Sequence, residues 1–444
     1  MATQTPWHSL FTATMASSAS DIDALIRRQA ISNAESVNLV ASESYCPRAT
    51  LEAEASILIN KNASGYPPRI AFSGGEIIDE IEHIAIERAK GLFGAEHANV
   101  QPLSSTIANV AVLRALVKPG GKILAFDRHA GGHSSHGSAR HVSGQDYEVE
   151  WFGVDEASEM IDYDDARRKA MASRPAIIIA GSSAYPRQID FEKLRDIATE
   201  TGALLFADIA HVSGLVVAGL HPNPTPYCDV VTTSTHKTFC GPRTGGLILS
   251  KAVHGKAIDD ALAPGLQAAP GAHIIAARAV LYDLVTRPAF GDLMRNVIAG
   301  AGTLAQGLRN AGLKLYANGT DTHMVVVDLR KTDWQERDLN VVLEQHGLVA
   351  NSTTLPRRAG DISTLGLRLG STPMSIRGLG DDGFVQAASA VATLLAAGPR
   401  AGLDTGVASR MRELAMTNPI PYGGLTDQGK VGQPLASISR SRHC

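Results

Sequence analysis

The chain has 444 residues, 44% of them hydrophobic and 19% charged, which is typical of a globular protein with a large core. Its 41 Lys and Arg residues and 44 Asp and Glu residues are interspersed and leave a formal net charge of -3, so we expect no nucleic-acid partner and no membrane surface. No apolar run reaches the roughly 18 residues that a membrane-spanning helix needs.

Residues 1–50 are interpreted as an N-terminal arm, because the segment has neither the basic start nor the apolar stretch of a signal peptide. The cysteines form no CxxC pair, so the sequence predicts neither a metal site nor a disulfide framework. Reduced thiols are typical of a cytoplasmic protein, and we expect that location. The four cysteines are Cys46, Cys228, Cys240 and Cys444.

Residues 51–290 alternate short apolar runs with helical patterns and are predicted to form a large domain. The helical period is clear over 79–92 and 191–201. Because strands alternate with helices, we expect an α/β fold with a mainly parallel sheet and helices on both faces. The predicted strands are 122–127, 176–180, 203–208, 230–233 and 246–249.

Residues 291–415 are predicted to form a smaller C-terminal α/β domain. Its elements are a helix over 295–310, a strand at 323–329 and helices over 339–346 and 384–396. Residues 416–444 become rich in Gly, Ser and Pro and end in a basic stretch, so we interpret them as a loosely held tail.

Polar residues follow four of the predicted strands, at the point where each strand ends. They are 128–133, 181–185, the pair Asp208 and His211, and 234–237. Ligands of open α/β sheets bind beyond the carboxyl ends of the strands. Four such clusters at one predicted edge therefore indicate a site.

Lys237 and Asp208 lie at the ends of successive predicted strands and suit one kind of chemistry. A buried lysine loses its proton more easily and can attack an aldehyde. A carboxylate beside it can pair with a protonated pyridine nitrogen. A strand-end lysine alone is usually a surface residue, but His236 and the 241–243 turn accompany this one. We expect Lys237 to hold pyridoxal 5'-phosphate (PLP) as a Schiff base.

A turn rich in hydroxyl groups, Ser104, Ser105 and Thr106, comes directly before a helical run over 107–116. The free N–H groups and the dipole at a helix N-terminus attract anions, so this turn is a candidate phosphate site. Ordinary helix capping is the alternative interpretation, and the same turn can do both.

Three further residues are candidates on weaker grounds. His133 and His211 can pack on the ring of the cofactor or bind its 3-oxygen, although a single loop histidine is more often structural. Arg368 lies in the glycine-flanked segment 366–370, where a guanidinium can bind a substrate carboxylate through two hydrogen bonds. Alone, it would be interpreted as a surface arginine.

Several segments together resemble serine hydroxymethyltransferases, from about residue 20 to about residue 415. The segments 235–243 (THKTFCGPR) and 208–215 (DIAHVSGL) are highly specific to that family. The resemblance implies a fold type I PLP-dependent transferase that forms at least a homodimer, or a dimer of dimers, with sites built from both subunits. The other matching segments are 38–44, 60–67, 87–102, 131–138, 180–191, 204–219, 221–249 and 366–370.

The resemblance also implies roles for individual positions, each taken from the matching motif. Lys237 binds the cofactor, Asp208 its ring nitrogen and His133 its ring face. The remaining implied contacts are Ser183 and His211 to the 3-oxygen, Ser104, Ser105, Thr106 and His236 to the phosphate, Ala269 to the partner subunit's phosphate, Ser42 and Arg368 to the substrate carboxylate, and Thr235 and Ser64 to the rest of the substrate.

This sequence departs from the family at the groups that serve the hydroxymethyl unit and folate. The family's NKYAEGYP reads NKNASGYP here, so its tyrosine and glutamate become Asn62 and Ser64. The glutamate handles protons in the folate half of the reaction, and a serine near neutral pH cannot replace it as an acid or base.

Two further departures lie in the segments that follow. A pair of tyrosines in the family falls on Ala71 and Phe72. The loop 265–270, GGQGGP in the family, reads GLQAAP, and Ala269 makes close backbone approach harder than glycine would.

Because the groups that touch PLP are largely kept and the folate groups are replaced, the sequence predicts a folate-independent threonine transaldolase. Such an enzyme takes glycine from threonine and transfers it to an acceptor aldehyde, which yields a β-hydroxy-α-amino acid. The alternatives are a folate-dependent serine or α-methylserine hydroxymethyltransferase and a β-hydroxy amino acid aldolase. A non-catalytic PLP-binding relative is a further alternative, but binding the cofactor alone needs no carboxylate clamp such as Arg368.

Overall fold

A computed structural model describes residues 7–69, 73–400 and 402–422 of the chain. Three features of the sequence analysis lie outside these residues: the tyrosine replacements at Ala71 and Phe72, the cysteine at 444, and most of the predicted tail, 423–444.

The N-terminal segment consists of three helices and a short strand: α1 (His8–Thr12), α2 (Met15–Ser18), α3 (Ser20–Glu35) and β1 (Val37–Asn38). Strand β1 packs on the C-terminal part of the chain and does not stand apart from it. Val37 and Leu39 are fully buried in the hydrophobic core of the C-terminal part of the chain. The guanidinium of Arg377 donates to the carbonyls of Asn33 and Ser36, so the end of α3 is attached to that part as well.

A seven-stranded sheet forms the centre of the large part of the chain, with the strand order β2-β8-β7-β6-β5-β3-β4. The five strands β3 to β7 run parallel, while β8 and β2 are antiparallel to their neighbours. The predicted α/β class with a mainly parallel sheet is confirmed. The strands are β2 (His97–Asn99), β3 (Lys122–Phe126), β4 (Glu148–Phe152), β5 (Ile177–Gly181), β6 (Leu204–Asp208), β7 (Val230–Ser234) and β8 (Gly246–Ser250).

Helices cover both faces of this sheet, because its inner strands are apolar on both sides and need cover. Local signals set their ends: the Asp190 carboxylate accepts from the backbone of Lys193 where α9 begins, and Gly202 with φ 72° ends it. No helix in the described ranges is long and apolar enough to cross a membrane. These helices are α4 (Arg48–Glu54), α5 (Glu76–Phe93), α6 (Ser105–Leu116), α7 (Val142–Asp146), α8 (Tyr163–Ser173), α9 (Phe191–Thr201), α10 (Ser213–Val217), α11 (Ala252–Leu262) and α12 (Ala272–Leu284).

The C-terminal part packs helices on a three-stranded antiparallel sheet with the order β11-β12-β9. The last helix continues past residue 416, where the sequence predicts a loose tail, and Tyr422 packs edge-on against Tyr45 with ring centroids 6.3 Å apart. The elements are α13 (Pro288–Asn310), β9 (Met324–Asp328), α14 (Glu336–Gln345), β10 (Leu348–Val349), β11 (Asn351–Thr354), β12 (Leu365–Gly370), α15 (Thr372–Ile376), α16 (Asp381–Ala397) and α17 (Thr405–Thr417).

A buried guanidinium, Arg330, joins the two parts of the chain. It donates to the carboxylates of Glu159 at 2.6 Å and Asp328 at 2.7 Å. Its own backbone carbonyl accepts from the N–H groups of Ile362 and Ser363. This cluster therefore holds the loop that leads into β12, the strand that carries Arg368.

A second buried guanidinium, Arg278 on α12, is 1% exposed and donates to backbone carbonyls only. Two of its acceptors, Gly246 and Thr244, lie where the chain enters β8. The other two, Val100 and Pro102, lie just before α6. Arg278 thus binds together the two segments that flank the hydroxyl-rich turn.

Replacing Arg278 with methionine keeps most of the side-chain volume but removes the guanidinium donor from four carbonyl groups, of which Pro102 still accepts from the N–H of Gly246. We expect the free energy of unfolding to fall by about 3 kcal/mol, because a buried polar group left unpaired costs roughly 1–3 kcal/mol. Chemical denaturation measures this change. Arg287→Met is the matched control, since Arg287 pairs only with Asp283 at the surface and the loss should stay below about 0.5 kcal/mol. Equal losses in the two variants would contradict the assignment.

Candidate active site

The carboxyl ends of β3, β5, β6 and β7 meet at one edge of the sheet, as the sequence predicts. Asp208 ends β6, and Lys237 follows the adjacent strand β7 by three residues. Gly181 ends β5 beside Asp208, and a Cβ atom at Gly181 would lie 2.7 Å from the Asp208 carbonyl oxygen. A side chain at this glycine would therefore clash with the carbonyl oxygen and the Cβ atom of Asp208.

Three donors hold the buried Asp208 carboxylate. Asn109 Nδ2 and His136 Nε2 lie 2.7 and 2.9 Å from Oδ2, and the backbone N–H of Ala210 lies 3.0 Å from Oδ1. Burial raises the pKa of Asp208, but the hydrogen bond and charge of His136 outweigh it and hold that pKa below its ordinary value. Asp208 is therefore ionised at neutral pH.

Asn109 and His136 were not among the residues predicted from the sequence. Asn109 lies on α6, and its side-chain oxygen accepts from the Thr232 hydroxyl of β7 at 2.6 Å. Its amide also donates to Ser135. Both Asn109 and His136 are 0% exposed. The available signal was a second histidine in the 131–138 segment, but nothing in the sequence pairs it with Asp208.

Lys237 is buried, with 9% of its surface exposed. Burial lowers its pKa to about 8, partly offset by the Asp208 charge, which raises it. The positive charges of Arg368 and Arg243 act in the same direction as burial, and the value of about 8 includes their effect. A substantial fraction of the Lys237 amine is therefore neutral near physiological pH and can act as a nucleophile.

His133 lies beside this cluster as a neutral ring. Its Nδ1 accepts from the backbone N–H of Ser135 at 3.2 Å, which leaves the ring proton on Nε2. Burial, with a smaller effect of the nearby charge of His136, lowers the pKa of His133 to about 4. Ligand atoms of His133, His136 and Asp208 lie within 4.8 Å of one another, but the hydrogen bonds described above account for this grouping.

The hydroxyl-rich turn caps α6. Ser104 Oγ accepts from the backbone N–H of Ile107 at 3.2 Å, so the capping interpretation holds for this side chain. Gly246, at the start of β8, packs so closely on Ser104 that a Cβ atom there would contact its carbonyl. For His236, which precedes Lys237, burial lowers the pKa to about 3.

Arg368 and Ser183 lie together. Arg368 Nη1 donates to the Ser183 carbonyl at 2.6 Å, while its buried Nε has no hydrogen-bond partner within residues 7–69, 73–400 and 402–422. Burial lowers the pKa of Arg368. Both residues line a cavity of about 450 Å³ with His133. Its other lining residues are Arg128, Gly132, Ser134, Ala184, Trp334, Gln335, Glu336, Ser352, Thr353, Thr354, Ser363, Thr364 and Leu365.

His211 and Ser42 are two further residues that the sequence predicts for the site. His211 is 3% exposed and stacks on His323, a residue that the sequence analysis did not single out. Ser42 is half-buried in the turn after β1. The preceding residue, Ala41, packs closely on Gly370 at the end of the strand that carries Arg368.

Three predicted site residues do not face the Arg368 cavity: the side chain of one has a partner of its own, and two lie at or beside another cavity. The hydroxyl of the buried Thr235 donates to the Pro242 carbonyl at 2.7 Å. Ser64 lines a separate cavity of about 410 Å³ with residues 263–268, and Ala269 follows that loop. This cavity shares no lining residue with the one beside Arg368. Within one chain, Ser64 and Ala269 are therefore not part of the Arg368 cavity.

The residues at the sheet edge fit PLP. Lys237 offers a buried amine with a lowered pKa, and Asp208 is an ionised carboxylate suited to a protonated ring nitrogen. Arg368 Nε is a buried donor without a partner among the described residues, so it requires an accepting group, which a substrate carboxylate supplies. Lys237 would hold the cofactor covalently, with the Ser104 turn near its phosphate.

We expect covalent capture of PLP by the apo protein to speed up as pH rises through about 8, because the neutral amine of Lys237 is the nucleophile. Asp208→Asn should move the midpoint to lower pH, since the Asp208 charge raises the pKa of Lys237. Borohydride trapping followed by mass spectrometry measures the rate. Lys256→Arg is the control, because Lys256 is exposed. A midpoint at the ordinary lysine value would refute the prediction.

Comparison with known proteins agrees with this geometry. The family model for serine hydroxymethyltransferase matches residues 15–391. A serine hydroxymethyltransferase of Nostoc sp. (strain PCC 7120) is 47% identical over 376 residues, which are 84% of this chain and 88% of that protein. The corresponding protein of Mycobacterium avium (strain 104) is 42% identical over 419 residues, which are 93% of this chain and 98% of that protein.

A second Nostoc protein of the same name, from Nostoc punctiforme, is 46% identical over 360 residues, 81% of this chain and 84% of its own length. The matches include the strand ends that carry Asp208 and Lys237. The resemblance seen in the sequence is thereby confirmed. The chain belongs to the serine hydroxymethyltransferase family, whose members are PLP-dependent transferases of fold type I.

Proposed function

We propose that the chain cleaves and forms the Cα–Cβ bond of β-hydroxy amino acids, with serine and glycine as the amino acid pair. The observation that carries this proposal is the arrangement at the sheet edge: a partly neutral Lys237 beside an ionised Asp208. The names of the relatives favour hydroxymethyl transfer from serine, which is one of the alternatives that the sequence leaves open. They give less support to the threonine transaldolase that the sequence predicts.

Each residue has a defined part in this chemistry. Arg368 binds the α-carboxylate, because its buried Nε has no other acceptor. Asp208 stays ionised and keeps a ring nitrogen protonated. Bound PLP supplies an electron-accepting ring that stabilises the negative charge left on Cα. Lys237, with a pKa of about 8, can give and take a proton near neutral pH when it is not bound to the cofactor.

A folate-independent transaldolase is the second candidate, and specific residues favour it. Ser64 stands where the family has the glutamate that serves folate chemistry. The cavity beside Arg368 is lined by several hydroxyl side chains and by the charged Arg128 and Glu336, so it suits a polar aldehyde. A β-hydroxy amino acid aldolase would use the same residues but would need no acceptor aldehyde.

We further propose that the protein works as a homodimer or a dimer of dimers in the cytoplasm. Two features of the single chain support a second copy. Ser64 and the 263–268 loop line a cavity of their own, apart from the Arg368 cavity. On α3, the side chains of Ile22, Leu25 and Ile31 are 49 to 58% exposed, which is unfavourable for an unpartnered helix.

One assay separates the candidate activities. The purified protein, loaded with PLP, is given serine or threonine, with and without tetrahydrofolate, and the released aldehyde and glycine are measured. A hydroxymethyltransferase should turn over serine, with a rate that tetrahydrofolate increases at least about tenfold. Threonine cleavage that accelerates on addition of an acceptor aldehyde would instead establish the transaldolase. Lys237→Ala is the negative control in every arm.

A second experiment tests the role of the substituted residues. If Asn62 and Ser64 have removed folate chemistry, the double substitution Asn62→Tyr with Ser64→Glu should raise tetrahydrofolate-stimulated serine turnover at least about tenfold, because it restores a proton-transferring group. Threonine cleavage serves as the internal control and should change far less. If the original chain already shows folate stimulation and the substitutions leave it unchanged, these positions do not decide the activity.

A further inference from the structure

His323 is a fully buried histidine at the start of β9, and it belongs to neither the cofactor contacts nor the substrate contacts described above. Its Nε2 lies 3.0 Å from the carbonyl oxygen of Ala41 and 3.4 Å from Nδ1 of His211. The rings of His323 and His211 stack with centroids 5.5 Å apart and an interplanar angle of 21°. Its buried Nδ1 has no hydrogen-bond partner in the part of the chain that the structure describes.

These contacts assign the ring protons. A carbonyl oxygen can only accept a hydrogen bond, so Nε2 of His323 must carry a proton and donate it to Ala41. Burial lowers the pKa of His323 to about 3, so the ring is neutral and its Nδ1 carries no proton. This tautomer also agrees with the unpartnered Nδ1, because a buried lone pair is tolerated better than a buried N–H group without an acceptor.

The assignment then extends to His211. Its Nδ1 faces the protonated Nε2 of His323 at 3.4 Å, and two N–H groups pointing at each other would repel, so Nδ1 of His211 carries a lone pair. Burial is the largest of the effects that hold the pKa of His211 well below its ordinary value, and the ring is neutral. The proton of His211 therefore lies on Nε2.

We propose that His323 is a positioning residue that keeps His211 in one neutral tautomer, with Nε2–H as a fixed hydrogen-bond donor to the site. The charges of Lys237 and Arg368 lower the pKa of His211, so these two cations and the His211 ring share one site. The use of this donor in catalysis rests on the proposed function, whereas the tautomer itself does not.

The same histidine also connects three separate segments around the amino acid. Ala41 precedes Ser42, the expected carboxylate contact, and accepts the His323 hydrogen bond. The backbone carbonyl of His323 accepts from the N–H of Ser371, just after the strand that carries Arg368. These contacts hold the His323 ring, and with it the Nε2 atom that faces His211, in one position.

The first test needs no activity. In apo protein labelled with ¹⁵N-histidine, the nitrogen shifts of the His211 ring report its tautomer, and loss of the signals in His211→Gln assigns them. We expect Nδ1 of His211 unprotonated and Nε2 protonated in the original chain. His323→Gln, whose side-chain amide can replace Nε2–H, should keep this state, and His323→Phe should lose it. A proton on Nδ1 of His211 in the original chain would overturn the proposal, whatever reaction the enzyme catalyses.

The second test uses the PLP-loaded enzyme and a double-mutant cycle. We expect His323→Phe to lower kcat/KM for cleavage of the β-hydroxy amino acid about tenfold, which corresponds to the loss of roughly one hydrogen bond. The kcat/KM of His323→Gln should stay within about threefold of that of the original chain. In a His211→Phe background, His323→Phe should add less than a twofold effect, because its action passes through His211. Independent, multiplying effects would overturn the proposal.

Thermal unfolding of each variant shows whether a loss of activity comes from lower stability and not from a changed tautomer of His211. If His323→Phe does not fold, His323→Asn replaces it, since its shorter amide cannot reach Ala41 and leaves His211 without its donor. We then expect His323→Asn to lose the His211 tautomer and activity relative to His323→Gln. Equal behaviour of the Asn and Gln variants would show that the position of the donor is irrelevant and would contradict the proposal.

Discussion

The candidate site depends on a single buried charge, the Asp208 carboxylate at the end of β6. An ionised carboxylate out of water is costly unless donors surround it, and Asn109, His136 and the Ala210 N–H supply them. Asn109 in turn ties this network to β7, the strand that leads to Lys237. The need to satisfy one charge thereby sets the relative positions of the strand ends on which a cofactor would sit.

The rest of the site is held by guanidinium groups that bind backbone carbonyls. Arg278 fixes the segments around the hydroxyl-rich turn, and Arg368 donates to Ser183. Arg330 holds the loop before β12 through a buried ion cluster. Such contacts act between segments distant in sequence, so loops that lack regular hydrogen bonding of their own are placed firmly at the edge of the sheet.

Within one chain, the residues suited to the cofactor come together, whereas Ser64 lies apart from them. Residues suited to the cofactor, among them Lys237 and Asp208, converge at the sheet edge with little exposure. Ser64, by contrast, is exposed and lines another cavity. The comparisons establish the family and its cofactor. The polar lining of the cavity beside Arg368 and the serine at position 64 concern a separate question, the choice between hydroxymethyl transfer and transaldolase chemistry.

The sequence by itself determined the α/β class, the approximate ends of the inner strands and the placement of Lys237 and Asp208 at the ends of neighbouring strands, because hydrophobic periodicity and strand-end polarity are local signals. The carboxylate partners Asn109 and His136 and the stacking of His323 on His211 appeared only in the tertiary structure. Asn109 is 99 residues from Asp208, and His323 is 112 residues from His211. No local pattern encodes such pairings, because folding decides which buried polar groups meet and satisfy one another.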